Sequence, residues 1–458
     1  MQVKTTYVRK WLPRLLSAMV VFALGGGLLA EVASTPPAAT APAAAPAAID
    51  TGDTAWVMMG TALVMLMTPA LAFFYGGLVR KKNYLSVLMQ CFMILCLISV
   101  QWVLVGYSLS FGPTKGGIIG GLEWIGLKGV GAAPSDYAPT IPHSTFMMFQ
   151  MMFAVITPAL IIGAFAERMK FSAFCVFSLL WATIVYDPMA HWVWGAGGFL
   201  GAAGWGALDF AGGTVVHINA GMTALAAALV LGRRKGYPNA ISPPHSLPWA
   251  TLGAGLLWFG WFGFNAASAL GANGLASAAF VNTHTAAATA GLIWALLDWF
   301  FHTKPTTLGM ITGAVAGLVS ITPAAGFVTP MGAIAIGVGA AVIPWLCVTF
   351  LKPRLGYDDS LDAFGVHGVG GIWGAIATGL FASAEVNGKN GLFYGEGGAH
   401  QLLVQVQAAV VCIVFSFVLG LILLKLVDLT MGLRVCEHDE RVGLDLTQHK
   451  ESAYTVID

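Results

Sequence analysis

Two histidines stand in glycine-rich apolar stretches, Gly212-Gly213-Thr214-Val215-Val216-His217-Ile218-Asn219 and Phe364-Gly365-Val366-His367-Gly368-Val369-Gly370-Gly371. Neither has a charged neighbour in its own stretch. An ionisable side chain within a membrane span is costly, so it faces the protein interior and marks a substrate or proton path. Glycine lets helices approach closely, and the two stretches, 150 residues apart, are read as parts of one shared pore. A neutral imidazole can accept or relay a proton and hydrogen-bond a small neutral guest.

The apolar segments hold no ring of carboxylates for a cation and no arginine cluster for an anion; aromatic rings and small hydroxyls abound instead. Phe149 and Phe153 lie one helical turn apart on one face. Trp194 follows His191 and Trp192, and Trp261, Phe264 and Ser268 share a later segment, with Phe264 and Ser268 on the same face. Aromatic faces with a hydroxyl acceptor attract a small cation without a full counter-charge. A deeper apolar section then favours the neutral form, because dehydrating an ion there costs far more than dehydrating a neutral molecule. Ammonium can shed its proton and cross in this way; potassium cannot.

These side chains need a membrane scaffold. Of 458 residues, 57% are hydrophobic and 9% charged, against roughly 25% charged in an ordinary soluble protein. Eleven nearly uncharged stretches are long enough to span a bilayer: about 54–79, 84–111, 143–166, 171–194, 209–231, 247–271, 277–301, 306–322, 330–351, 361–384 and 400–426. A backbone facing lipid must satisfy its own hydrogen bonds, so the fold class is all-α, a polytopic helical membrane protein. The net charge of +1 and the lack of a basic block give no footprint for nucleic acid. No cofactor or metal site is expected, since none of the six cysteines has zinc-ligand spacing.

Lys4, Arg9, Lys10 and Arg14 precede an apolar run, so residues 1–30 read as a signal peptide, with a retained anchor as the competing reading. Residues 31–53 form an Ala/Pro-rich linker, 54–426 the transmembrane domain and 427–458 a tail. With the mature N-terminus outside, the inner connections carry eleven cations: Arg80, Lys81, Lys82, Arg168, Lys170, Arg233, Arg234, Lys235, Lys304, Lys352 and Arg354. The outer ones carry Lys115, Lys128 and Lys389, and the tail lies in the cytoplasm. His217 falls in the fifth span and His367 in the tenth. Two groups of five spans enter from opposite sides, the pattern of a five-plus-five inverted repeat with an extra C-terminal helix.

The chain resembles the ammonium transporter, methylammonium permease and Rhesus family, most closely its bacterial ammonium-channel branch. The motifs that carry the resemblance are Ala72 to Gly77, Gly163 to Arg168, Asp209 to His217, Gly260 to Asn265 and Phe364 to Gly368, within a match from Thr54 to about Ala453. It implies a homotrimer in the cell inner membrane, with a pore in each subunit for ammonium or ammonia and methylammonium as an analogue. It also implies His217, His367, Trp261 and Thr322 along the pore, and Phe153, Trp194, Ser268 and Asp209 at the outer cation site. Phe149 with Phe264 would be the stacked gate. Ala267 departs from the glycine of many relatives and could shift Ser268. Asp209 precedes a helical run and also reads as an N-cap; Tyr75 is a further path candidate, while His143 and His191 read as interfacial. The tail resembles the family's regulatory tail, for which a PII-type nitrogen signalling protein is the expected partner. An ammonium sensor and a Rhesus-type gas channel are the alternatives. The short tail argues against the sensor, and Trp194 with Ser268 against the gas channel.

Overall fold

A computed structural model describes residues 48–239 and 243–454. The signal-peptide expectation, and the linker as far as residue 47, lie outside the described residues. The remainder is a helical bundle. Helices α1 (Thr51–Leu78), α2 (Lys81–Phe111), α3 (His143–Phe165), α4 (Phe171–Trp194) and α5 (Gly213–Leu231) form the first five passes. They are followed by α6 (Leu247–Ala266), α7 (Gly274–His302), α8 (Thr307–Ile321), α9 (Pro330–Leu355), α10 (Phe364–Phe381) and α11 (Gly398–Met431). Among the described residues nine of these are long and apolar enough to cross a membrane; α6 and α8 occupy the places of the sixth and eighth expected spans. The protein is a multi-pass, all-α membrane protein.

Helix α8 has only 15 residues, and the reason is local. Pro323 cannot continue the α-helical ladder, and the following turn is held by Asn282 of α7, whose amide donates to the carbonyls of Ala325 at 2.9 Å and Val328 at 2.6 Å. Helix starts are sealed in the same spirit. Asp50, Asn273, Thr306 and Thr329 each place a side-chain oxygen on a first-turn backbone N–H.

Wide turns with i to i−5 hydrogen bonds interrupt α4 at Ala182–Tyr186 and α5 at Gly213–Ile218. The same irregularity recurs five helices later, in α9 at Cys347–Leu351 and α10 at Phe364–Val369. His217 and His367 sit within the matching turns of α5 and α10. Wide turns of this kind appear mostly at functional sites.

The cations counted in alternate connections gather at one end of the bundle. Glu167 accepts from Arg80 Nε at 3.0 Å and Arg234 Nη1 at 3.3 Å, and Arg234 also holds Asp358 at 2.9 Å. The guanidinium of Arg168 is fully buried and donates to the carbonyls of Ala164, Ala166, Gly232 and Asp358 and to the Ser360 hydroxyl. One side chain thereby satisfies carbonyls at the ends of α3 and α5 and in the loop before α10. The tail packs over this end through α12 (Glu437–Val442) and α13 (Leu444–His449), and Asp445 accepts from the Ser86 backbone at 2.8 Å. Helix α11 itself runs to Met431, beyond the span boundary expected near residue 426.

Burial opposes ionisation of Glu167, but Arg80 and Arg234 outweigh it and hold the carboxyl below its ordinary value. A depressed carboxyl contributes stability that is complete above the ordinary glutamate range and drains away as pH falls through the folded value. Thermal melting followed from pH 7 to pH 4 is expected to show a steeper acid loss in the wild type than in Glu167→Gln, whose melting temperature at pH 7 is already lower.

Candidate functional site

Glycine decides how closely α5 and α10 meet. A side chain at Gly221 would collide with the backbone of Gly368, and one at Gly371 would press on the Cβ of His217 at 3.0 Å. With those positions bare, the imidazoles of His217 and His367 stack 5.4 Å apart at an interplanar angle of 20°. Both residues are buried, and no described lysine, arginine or acidic residue pairs with either ring. Nδ1 and Nε2 of His217 and Nδ1 of His367 have no hydrogen-bond partner among the described residues. Buried polar atoms left without a partner are rare and call for an explanation.

The other aromatics continue the stack. Trp261 lies 5.5 Å from His217 at 22°, and Phe264 lies 6.1 Å from it at 26°. The Trp261 indole donates to Thr322 Oγ1 at 2.9 Å, and that hydroxyl donates to the Leu318 carbonyl at 2.7 Å. Thr322 therefore fixes the indole plane. The ring packed on Phe264 is Phe153, at 4.4 Å, whereas Phe149 meets Phe153 edge-on at 5.0 Å and 75°. The expected pairing of Phe149 with Phe264 is replaced by Phe153 with Phe264. A one-turn difference along α3 decided which ring arrives opposite α6.

Phe153 also meets Trp194 edge-on at 5.6 Å. The Trp194 indole donates to the backbone carbonyl of Asp209 at 2.9 Å. The Asp209 carboxylate accepts from the N–H groups of Gly212, Gly213, Thr214 and Val215 at 2.6 to 3.1 Å, and so seals the start of α5 from three residues ahead of its N-cap, Gly212. Asp209 reaches the aromatic cluster through Trp194 and the backbone. Ser268, just beyond α6, donates to the Phe264 carbonyl at 2.8 Å. The Ala267 methyl is received by Gly60 of α1, where any side chain would collide with it. That complementarity absorbs the extra methyl.

Beneath Phe264 a narrow cavity runs past both histidines. Its remaining walls are apolar, from Met67, Leu71 and Phe74 of α1, Ile156 and Leu160 of α3, Val216 of α5, Leu257 of α6 and Val315 of α8. His367, Phe74 and Val315 also border a wider vestibule that opens towards the Arg234 end. Tyr75 lines that vestibule and donates to the Leu160 carbonyl at 3.1 Å. His143 and His191 stand apart from the stack, buried beside Tyr107 and Ser110 respectively. Sequence reasoning missed the apolar walls, which come from five helices and share no motif. It also passed over Asp298, a lone carboxylate in an apolar helix and so a detectable signal.

A profile of the Ammonium Transporter Family matches residues 55–454. The chain belongs to that family. An ammonium transporter of Bacillus subtilis (strain 168) is 55% identical over 406 residues, covering 88% of this chain and 98% of that protein. Ammonium transporter Amt1 of Archaeoglobus fulgidus is 49% identical over 406 residues, covering 88% and 99%. The crystal structure of Candida albicans Mep2 superposes with a TM-score of 0.80 at 38% identity, over 85% of this chain and 88% of that one. A sensor Amt protein superposes with a TM-score of 0.79 at 31% identity, over 87% and 98%.

In this ammonium transporter family member, Asp209→Ala strands N–H donors at the start of α5, at a cost of about 1–3 kcal/mol for each one left dry. The expected result is a sharp loss of folded protein after detergent extraction, measured by size-exclusion chromatography and melting temperature. An unchanged melting temperature would refute the capping role.

Proposed function

We propose that this protein is an ammonium channel that recruits the cation at an aromatic site, strips one proton and conducts ammonia past its paired imidazoles. The observation that carries the reading is the 5.4 Å His217–His367 stack, with three buried ring nitrogens lacking protein partners inside an otherwise apolar cavity. Such nitrogens can exchange hydrogen bonds with a small neutral guest. A bare cation receives no counter-charge there, and its dehydration cost is not repaid.

Recruitment belongs to the cluster above the cavity. The faces of Phe153 and Trp194 offer cation–π attraction, and the Ser268 hydroxyl oxygen offers a lone pair while its proton is engaged by the Phe264 carbonyl. Phe153 and Phe264 take the part of the gate, because theirs are the rings in contact above the cavity. Phe149 backs Phe153 from the side. Asp209 orients Trp194 and seals α5, and its charge favours cations nearby. Trp261, pinned by Thr322, forms the wall beneath the gate.

In this reading the Trp194 end faces outward and the Arg234 end with the tail faces the cytoplasm, following the cation asymmetry. Residues 54–426 constitute the transport domain and 427–458 a regulatory tail, the two five-helix groups form an inverted repeat, and the chain assembles as a homotrimer in the inner membrane. The tail, packed over the vestibule end, is the expected contact for a PII-type partner. One structural neighbour is a sensor protein, but no residue of the corridor requires a sensing role.

In proteoliposomes, ammonium and methylammonium are expected to drive uptake while potassium enters no faster than into protein-free vesicles. His217→Ala and His367→Ala each lower the ammonium flux on the order of tenfold, the equivalent of one lost hydrogen bond to the guest. Potassium flux equal to that of ammonium in the wild type would sink the mechanism.

A further inference from the structure

The vestibule below His367 carries a carboxylate that the corridor does not use. Asp298 of α7 is 5% exposed and lines the vestibule on the same helical face as Trp294 and His302. Its Oδ1 accepts from the Trp345 indole at 3.2 Å and its Oδ2 from the Thr306 hydroxyl at 2.7 Å. Thr306 in turn caps α8, and Gly309 leaves the space that the carboxylate occupies, since a Cβ there would collide with it. Two neutral donors thus hold the carboxylate in place at the start of α8.

The other charged vestibule groups are paired. Arg234 holds Glu167 and Asp358, and Asp362 holds Lys352 at 2.6 Å. Among the described residues Asp298 is the lining carboxylate with no cation within salt-bridge distance. Trp294 and Trp345, both nearly buried, line the same part of the vestibule. A small monovalent cation in that space would gain charge attraction from Asp298 and cation–π attraction from the indoles.

We propose that Asp298, Trp294 and Trp345 form a second ammonium site, in the vestibule on the far side of the histidines from Trp194. This rests on reading the corridor as an ammonia path. Ammonia leaving His367 takes a proton from a hydronium ion in the vestibule, giving ammonium and water, and the carboxylate retains the new cation. Reversed, the same site concentrates ammonium for efflux. A purely structural clamp would use the same two hydrogen bonds, and substitution separates the two roles. The amide in Asp298→Asn can still accept from Trp345 and bond Thr306, but it removes the charge.

Two measurements test this. In vesicles of single orientation, Asp298→Asn is expected to raise the half-saturating ammonium concentration on the order of tenfold when substrate is offered from the vestibule side. From the Trp194 side the value stays that of the wild type. An equal change on both sides, or on neither, overturns the proposal. Crystals of the wild type soaked in thallium(I), a heavy monovalent cation, are expected to give an anomalous peak at the Asp298 carboxylate, lost in Asp298→Asn. A wild type without that peak overturns the proposal even should the variant fail to fold. Transport that persists without the peak removes this site alone, whereas absent transport with the peak present removes the channel reading and leaves the site.

Discussion

Inside a bilayer the backbone and every polar side chain must find partners within the protein, because hydrocarbon supplies none. Several side chains of this bundle serve that rule. Arg168 collects carbonyls from three segments, Asn282 holds the turn after α8, and Asp209 takes the N–H groups at the start of α5. Of the buried side-chain atoms without a partner among the described residues, the ring nitrogens of His217 and His367 are the ones on residues that line the narrow cavity.

The same constraint explains where irregular backbone is tolerated. The wide turns of α5 and α10 and the shortened α8 converge in the protein interior, while the wide turns of α2, α4 and α9 keep their hydrogen bonds within the helix and expose apolar side chains. Bare glycines at the α5–α10 crossing turn that convergence into a ring-to-ring distance that larger side chains would forbid. Local backbone, packing and site geometry are linked at that crossing.

Charge is handled at the margin. Glu167, Arg80, Arg234 and Asp358 form a connected network beneath the bundle, and the tail is tied to the same end by Glu440, which accepts from the Lys235 backbone at 2.7 Å, and by Arg434, which donates to the Leu231 carbonyl at 2.9 Å. Networks of this kind join loops that are distant in sequence, so the tail and the vestibule rim belong to one packed layer. The narrow cavity above it is lined by no lysine, arginine or carboxylate side chain.

Much of this was legible in the chain alone. Apolar stretches of bilayer length, the alternation of loop cations and the two histidines in glycine-rich settings determined the all-α membrane class and the choice of His217 and His367. These are local properties, carried by residue type and spacing. Which rings touch is not local: Phe149 and Phe153 lie one turn apart on one face, and only the position of α6 brought Phe153 rather than Phe149 against Phe264. The four backbone donors around Asp209 likewise come from a turn of the chain that residue type alone does not specify. Asp298 was visible as a lone acid, but its indole and hydroxyl partners come from α9 and the α7–α8 turn. Sequence spacing specifies which side chains share a helix face, whereas contacts between helices depend on crossing angle and depth, which only the packed bundle decides.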